Sequence, residues 1–285
     1  MLIAQLSDLH IRPYGVPAAR VVETNMLVER ALAVIAGLDP RPDAVIISGD
    51  VTECGRPEEY RMAAKLLQRL APMPVYVVPG NHDRRDNFRE GLGHLPGVTA
   101  DPDFVQYAVE DLPVRIVMLD SVVPGAGYGL LCPERLAFLD RTLSAQPDRP
   151  TMLVLHHPPM LTGVSDMDGI WLRNTAEFGA LLERHPQVER ILTGHHHRSI
   201  VGRLGHAIVI VAPAIVHQTE LDFRLGAEAR LVLEPPAYHL HLAIPGAGIA
   251  THTAYVERFP GPYPFLVDED YPGRPASRAH AEEAG

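Results

Sequence analysis

A chain of 285 residues, 46% hydrophobic and 21% charged, has the composition of a soluble globular protein built as one large domain, or one core with an elaboration. Its formal net charge of -10 excludes the basic stripe that a nucleic-acid polymer requires, and admits an anionic ligand only where a metal reverses the local field. Two cysteines, Cys54 and Cys132, exclude a disulfide framework and a thiolate zinc site. They are expected as free thiols of a cytoplasmic protein, with a Cys54–Cys132 bridge as the alternative. No basic segment with an apolar core opens the chain, so no signal peptide is expected. No apolar run approaches the roughly 20 residues of a membrane-spanning helix, so no membrane partner is expected.

The first apolar run, Leu2 to Leu6, reads as a buried strand and leads into Asp8 and His10. A helix capped by Thr24 and reaching about Leu38 follows, with Leu27, Ala31, Val34 and Leu38 at helical spacing, and Pro40 and Pro42 stop it. Ala44 to Ile47 is the second strand and leads into Asp50. Pro57 opens a second helix with Tyr60, Ala63, Ala64, Leu67 and Leu70 on its apolar stripe, before the strand Val75 to Val78 leads into Asn81 and His82. This alternation implies a largely parallel or mixed sheet with helices on its faces.

Phe104–Val109 and Arg115–Leu119 read as two more strands, and residues 124–131 as an exposed Gly-rich loop or arm. Pro133 starts a helix that turns Leu136, Leu139 and Leu143 inward. The strand Met152 to Leu155 leads into His156 and His157, and, after a helix at about 175–184, Arg190 to Thr193 leads into Gly194, His195, His196 and His197. Ala207–Val211, Ala229–Leu233 and Tyr238–Ala243 then follow without helices between them, and are expected as a second sheet packed on the first. The catalytic domain is set at 1–244, with a possible oligomerisation arm at about 104–131. Residues 245–285 are expected as a Pro/Gly-rich tail, partly peripheral or disordered.

Five apolar runs therefore end in residues able to bind a metal, and in open α/β sheets ligands gather beyond the carboxyl ends of the strands. Asp8 and His10, two apart in an extended segment, face one side. Carboxylate and imidazole suit manganese, iron, cobalt or zinc. Asp50 has two oxygens and ends a central strand, which makes it the candidate bridge between two ions. Gly80 permits a tight turn that offers the Asn81 carbonyl and pushes His82 toward solvent. His195 and His197 share one side of an extended turn, with His196 opposite.

Taken in order, Asp-x-His, Gly-Asp, Gly-Asn-His-Asp, a His pair and Gly-His-x-His resemble the calcineurin-like metallophosphoesterase superfamily over Met1 to about His217. The chain looks closest to the class III bacterial phosphodiesterases, which include cyclic-nucleotide phosphodiesterases and glycerophosphodiesterases. Cys54-Gly55-Arg56-Pro57-Glu58-Glu59-Tyr60 looks like the glycerophosphodiesterase branch. The resemblance implies an α/β fold, borderline α+β: a four-layer αββα sandwich of two mixed sheets with a dinuclear metal site at the carboxyl edge of the strands. It further implies that Asp8, His10, Asp50 and His197 hold one metal and Asp50, Asn81, His156 and His195 the other. His82 and His217 would face the substrate, with Asn81. It suggests a homodimer or higher homo-oligomer.

The implied enzyme hydrolyses small soluble phosphodiesters, glycerophosphodiesters or cyclic nucleotides. Two carboxylates, two divalent ions and a bridging hydroxide leave a net charge of +1, which attracts a phosphodiester despite the acidic chain. Such a hydroxide, available near neutral pH, would attack phosphorus in line with the leaving alkoxide, and His82 is the candidate to protonate that alkoxide. The alternatives are a phosphomonoesterase or protein phosphatase on the same scaffold, and a scaffold protein without catalysis. His157 and His196 are read as supporting or solvent residues rather than ligands. Arg56, Arg84, Arg173, Trp171 and Asp120 have weaker claims on the site, exposed arginine being mostly a solubility feature.

Overall fold

The computed structural model describes residues 1–264 and 266. Its first part alternates β1 (Leu2–Leu6), α1 (Thr24–Ala36), β2 (Ala44–Ser48), α2 (Pro57–Leu67), β3 (Val75–Val78) and α3 (Arg85–Leu92). Every residue of β2 and β3 is buried, as in strands covered on both faces. The cap of α1 is Glu23 rather than the expected Thr24: its carboxylate accepts from the Met26 N–H at 2.8 Å. The helix buries Val28, Ala31, Leu32 and Ile35, so the expected stripe through Leu27, Val34 and Leu38 lies on its flank. Ala31 belongs to both stripes, which is why spacing alone does not separate them. Pro57 opens α2 as expected, and the Glu59 carboxylate turns back to accept from the N–H groups of Cys54 and Arg56, both at 3.0 Å.

The chain continues through β4 (Tyr107–Val109), β5 (Arg115–Met118), α4 (Pro133–Ser144), β6 (Thr151–Val154), the single turn α5 (Ser165–Asp168) and α6 (Thr175–Leu182). It ends in β7 (Val188–Thr193), β8 (Ile200–Leu204), β9 (Ala207–Val211), β10 (Gln218–Thr219), β11 (Leu231–Val232), β12 (Ala237–Ile244) and β13 (Gly248–Tyr255). The strands form a five-stranded sheet in the order β13-β12-β1-β2-β3, a six-stranded sheet in the order β4-β5-β6-β7-β9-β8, and the separate hairpin β10-β11. β1, β2 and β3 are parallel, as are β5, β6, β7 and β9; antiparallel pairings join β12 to β1 and to β13 in the first sheet and place β4 and β8 at the two edges of the second.

Side-chain alternation builds the layers. Ile116 and Met118 of β5, Met152 and Val154 of β6 and Leu192 of β7 join the core shared with the first sheet and α1 to α3. Their neighbours Val117, Leu153 and Ile191 join the opposite core, with Leu139 and Leu143 of α4 and Phe178 and Leu182 of α6. The result is the helix–sheet–sheet–helix sandwich of two mixed sheets.

Three sequence readings change. The second sheet starts at β4, not after the histidine run, and β9 extends it beside parallel β7. The last long strand returns to the first sheet, where β12 supplies the neighbour that β1 lacks. Residues 248–255, expected within a tail, pair along β12 as the edge strand β13. Within that expected tail, residue 265 and residues 267–285 lie outside the described residues. The Gly-rich segment 124–131 is exposed only at its Pro124–Gly125 tip, because Gly129 bridges back to Val122 and to Leu172.

Candidate metal centre

The parallel strands of both sheets point their carboxyl ends at one edge, and backbone hydrogen bonds join those ends. The Asp8 N–H donates to the Gly49 carbonyl at 3.1 Å and the His10 N–H to the Asp50 carbonyl at 3.0 Å. The His195 N–H donates across from the second sheet to the Asp8 carboxylate at 3.1 Å. The expected extended geometry of Asp8–His10 and His195–His197 is replaced by left-handed backbone. Asp8, His10, Asp50, His195 and His197 have φ of 56°, 44°, 46°, 71° and 51°. In each pair two left-handed residues flank an ordinary one, so both side chains still reach the same side. Such conformations cost of order 1 kcal/mol or more each for residues with a Cβ, and persist where surrounding structure holds them. At Gly80 a Cβ would sit on the Asp50 carboxylate, so the close passage of these two loops requires glycine there. Asp83 pins the same turn by accepting from Val51 N, Thr52 N, Thr52 Oγ1, Tyr60 OH and Gly80 N at 2.9–3.2 Å.

All seven expected ligands meet at this edge. Asp8, His10 and His197 form one group, Asp8, Asp50 and His156 another, and within each group the donor atoms lie within 4.8 Å of one another. Asn81 Oδ1 stands 3.0 Å from His156 Nε2, and His195 completes the ring beside His156, with ring centroids 5.0 Å apart. The outer nitrogen of each imidazole faces an oxygen that can only accept. His10 Nδ1 meets the Glu53 carboxylate at 2.6 Å, and His156 Nδ1 meets the Ser48 carbonyl at 2.8 Å. His197 Nδ1 meets the His217 carbonyl and His195 Nε2 the Ile170 carbonyl, both at 3.0 Å. Each outer nitrogen therefore carries a proton, and in the neutral ring the inner one presents a lone pair. His10 Nε2 and His197 Nε2 face each other at 3.1 Å. With both rings neutral, two lone pairs would repel there; a proton on His197 or a cation bound between them removes the conflict. Buried carboxylates, an amide oxygen and inward imidazole nitrogens, with no thiolate, fit divalent transition-metal ions.

Protonation in the protein alone carries the same message. Burial opposes the charge on Asp8, yet His197, hydrogen-bonded to it, and His156 bring its carboxyl down to about 2. Burial likewise opposes protonation of His156, but the Asp50 carboxylate at 3.3 Å raises it to about 9. Without a cation, imidazolium supplies the positive charge that the two carboxylates demand; a bound cation replaces that inner proton.

The remaining expected residues separate by position. His82 stands at the mouth, its side chain 38% exposed, with Nε2 4.0 Å from Asp50 Oδ2 and Nδ1 donating to the Glu53 carbonyl at 2.8 Å. His217 lies beside His197, ring centroids 4.6 Å apart, and its Nδ1 has no hydrogen-bond partner among the described residues. His157 is fully buried, and although a donor atom lies within 4.8 Å of those of His156 and His195, its two nitrogens face Ser121 Oγ at 2.8 Å and the Gly127 carbonyl at 3.2 Å. His196 is buried without a partner among the described residues. Asp120 binds Arg85 through two hydrogen bonds and takes no part in the centre. Arg173 stacks on Tyr128 at 4.9 Å. Cys54 and Cys132 are free thiols.

Sequence reasoning missed Glu53. Its Oε2 holds His10, its Oε1 accepts from the Ala19 N–H, and its backbone carbonyl orients His82. The signal was its place three residues after Asp50, on the turn that leaves β2. The Ser48, Ile170 and His217 carbonyls have no sequence signal.

Two cavities meet at the centre and share Glu53, Asn81 and His82 as lining. One, of about 300 Å³, is walled by Met167 and Ile170 and by Arg230 and Leu231 at the β10–β11 hairpin. The other, of about 950 Å³, opens over Arg56 and Arg84 toward the Gly-rich loop.

The profile of the calcineurin-like phosphoesterase family matches residues 1–199. Over 270 residues the chain is 36% identical to a probable glycerophosphodiester phosphodiesterase GpdQ of Arcobacter nitrofigilis, covering 94% of this chain and 98% of that protein. Over the same length it is 37% identical to the glycerophosphodiester phosphodiesterase GpdQ of Enterobacter lignolyticus, covering 94% and 95%. It is 34% identical over 234 residues to a probable cyclic nucleotide phosphodiesterase of a Synechococcus species, covering 82% and 88%.

Proposed function

The chain belongs to the calcineurin-like phosphoesterase family, and from that premise we propose a metal-dependent phosphodiesterase that hydrolyses small soluble diesters, with glycerophosphodiesters as its preferred class. The observation that carries this reading is the ring of inward-facing imidazole nitrogens and carboxylates at which two cavities meet. A phosphodiester has two substituents to place, whereas a monoester has one.

Asp8, His10, Asp50 and His197 would hold one divalent ion and Asp50, Asn81, His156 and His195 the other, with Asp50 as the bridge. The donor set suits manganese, iron, zinc or cobalt. When bound, such ions polarise the phosphate and lower the pKa of water to near neutrality. The protein's own residues do the rest. Glu53, Ser48, Ile170 and the His217 carbonyl fix the four imidazoles so that no reorganisation is needed on binding. His82, its Nδ1 committed to the Glu53 carbonyl, presents Nε2 to the cavity and delivers a proton there to the leaving alkoxide. Asn81 and His217 line the approach and orient the substrate. Met167, Ile170 and Leu231 give the smaller cavity an apolar wall.

Two finer readings accompany this. Free thiols at Cys54 and Cys132 support a cytoplasmic protein, and among the described residues no helix is long and apolar enough to cross a membrane. Exposed Leu221, Phe223, Leu225 and Leu233 beside the β10–β11 hairpin support a homodimer or larger homo-oligomer. The deciding experiment reconstitutes the metal-stripped chain with manganese, zinc or cobalt. It then assays glycerophosphodiesters, 3′,5′-cyclic and 2′,3′-cyclic nucleotides, and bis(p-nitrophenyl) phosphate against the monoester. Preference for the monoester would favour a phosphatase, and fewer than one ion per chain without rescue would favour a non-catalytic scaffold.

A further inference from the structure

The larger cavity carries charges that the centre does not use. Asp83 is spent on its five donors, Glu53 on His10 and Ala19, and Arg85 on Asp120. Arg56 and Arg84 also line it, and neither guanidinium has an ion-pair partner within 4.0 Å among the described residues, while nearby Arg12 and Arg85 do. Their backbones are fixed: the Arg56 N–H donates to Glu59 at 3.0 Å and the Arg84 N–H to the Tyr60 hydroxyl at 2.9 Å. The stem of Arg84 crosses Gly55, whose φ is 64°; a Cβ there would press on Arg84 Cγ and lie 2.9 Å from its backbone N. This crossing sets Arg84 against the stretch that carries Arg56, two residues beyond His82. The acidic residues Asp86 and Asp103 line the same cavity, and neither makes an ion pair within 4.0 Å with Arg56 or Arg84 among the described residues. Asp86 follows Arg85, and the loop of Asp103 is bound through the Pro102 and Phe104 carbonyls by Arg89.

Resting on the phosphodiesterase reading, we propose that this cavity is a subsite for an anionic group, carboxylate or phosphate, on one alcohol of the diester, held by Arg56 and Arg84. In a chain of net charge -10, two exposed guanidiniums without an ion-pair partner among the described residues line a cavity that shares Glu53, Asn81 and His82 with the candidate metal centre. The planar fork of arginine matches both anions with paired hydrogen bonds. The small cavity takes the other substituent. The subsite selects among diesters and adds nothing to the chemical step.

The test uses the full chain loaded with manganese and three esters of glycerol 3-phosphate, made with 3-hydroxypropanoate, its neutral amide 3-hydroxypropanamide, and ethylene glycol monophosphate. The expected kcat/KM favours the carboxylate ester over the amide about tenfold, and Arg56→Gln and Arg84→Gln each lower that ratio about tenfold. A stronger preference for the phosphate ester identifies the doubly charged anion as the better fit, with the same sensitivity to both variants. A ratio near one in the unaltered enzyme, or a ratio unmoved in both variants, would overturn the subsite while leaving the phosphodiesterase intact. Failure of the metal-loaded enzyme to cleave any of these esters or bis(p-nitrophenyl) phosphate would overturn both.

Discussion

Two sets of histidines are buried in this protein, and they differ in what faces them. His239 and His241 stand on β12, exposed by only 1% and 0%. His241 Nε2 meets Gln5 Oε1 at 3.0 Å and its Nδ1 meets Thr251 Oγ1 at 2.9 Å, while His239 Nε2 meets Ser199 Oγ. These partners are neutral, and burial pushes His241 down to about 3 and His239 to about 4. His156 is as deeply buried and His197 nearly so, but each faces a carboxylate and is raised, whereas burial leaves their neighbours His10 and His195 lowered. Burial alone therefore says nothing about function. Converging lone pairs and carboxylates, with the outer nitrogens tied off by acceptors, separate a cation cage from core packing.

The strongest way to break that contrast is to remove the carboxylate proposed as the bridge. Asp50→Ala should abolish metal retention and reduce kcat/KM by at least about a thousandfold, measured by metal analysis of the purified variant and steady-state assay. The equivalent change on β12, His241→Gln, should leave metal content untouched. A metal-replete, active Asp50→Ala protein would place the cage elsewhere. His82→Ala should come next. It should lose roughly 10²- to 10⁴-fold in kcat while binding metal like the parent, because His82 works at the mouth rather than in the cage. A parallel loss of metal would make it a ligand.

Glu53 tests the outer half of the contrast. Glu53→Gln keeps the size of the side chain but removes the charged acceptor from His10 Nδ1 and loosens the grip on Ala19. Metal affinity should fall about 10- to 100-fold, read by competition with a chelator, and the absorption spectrum of the cobalt-loaded protein should shift. Unchanged affinity would reduce Glu53 to a packing residue.

These expectations also mark what the sequence could reveal. The candidate ligands were legible because each follows a strand by two to four residues, so local pattern placed them at one edge. The strand ends needed no knowledge of which sheet they joined. Sheet membership was not legible: Ala207–Val211 and Tyr238–Ala243 look alike as apolar runs, yet β9 joins the second sheet and β12 the first. Partner choice depends on which edge is open, a property of the assembled fold rather than of the run. The left-handed backbone at Asp8 and His195 was hidden too, since aspartate and histidine do not announce a positive φ as glycine does. The proton-fixing acceptors were invisible because most are main-chain carbonyls.

The smallest effect lies in the β12 pair and concerns stability. The ordinary pKa of histidine is 6.5, and that of His241 in the fold is about 3. Above pH 6.5 folded and unfolded chains hold the same proton count at this residue. Between pH 6.5 and about 3 the unfolded chain binds a proton that the folded chain refuses, so stability falls as pH falls, by up to about 1.4 kcal/mol per unit. His239 adds the same dependence down to about 4. His241→Gln should lower the slope of unfolding free energy against pH by up to one proton between pH 6 and 5, measured by urea denaturation of the metal-loaded protein. If the slope stays that of the parent, His241 takes up its proton within the fold, with the Thr251 hydroxyl turned to accept it. The distinction between a caged and a merely buried imidazole would then rest on lone-pair geometry alone.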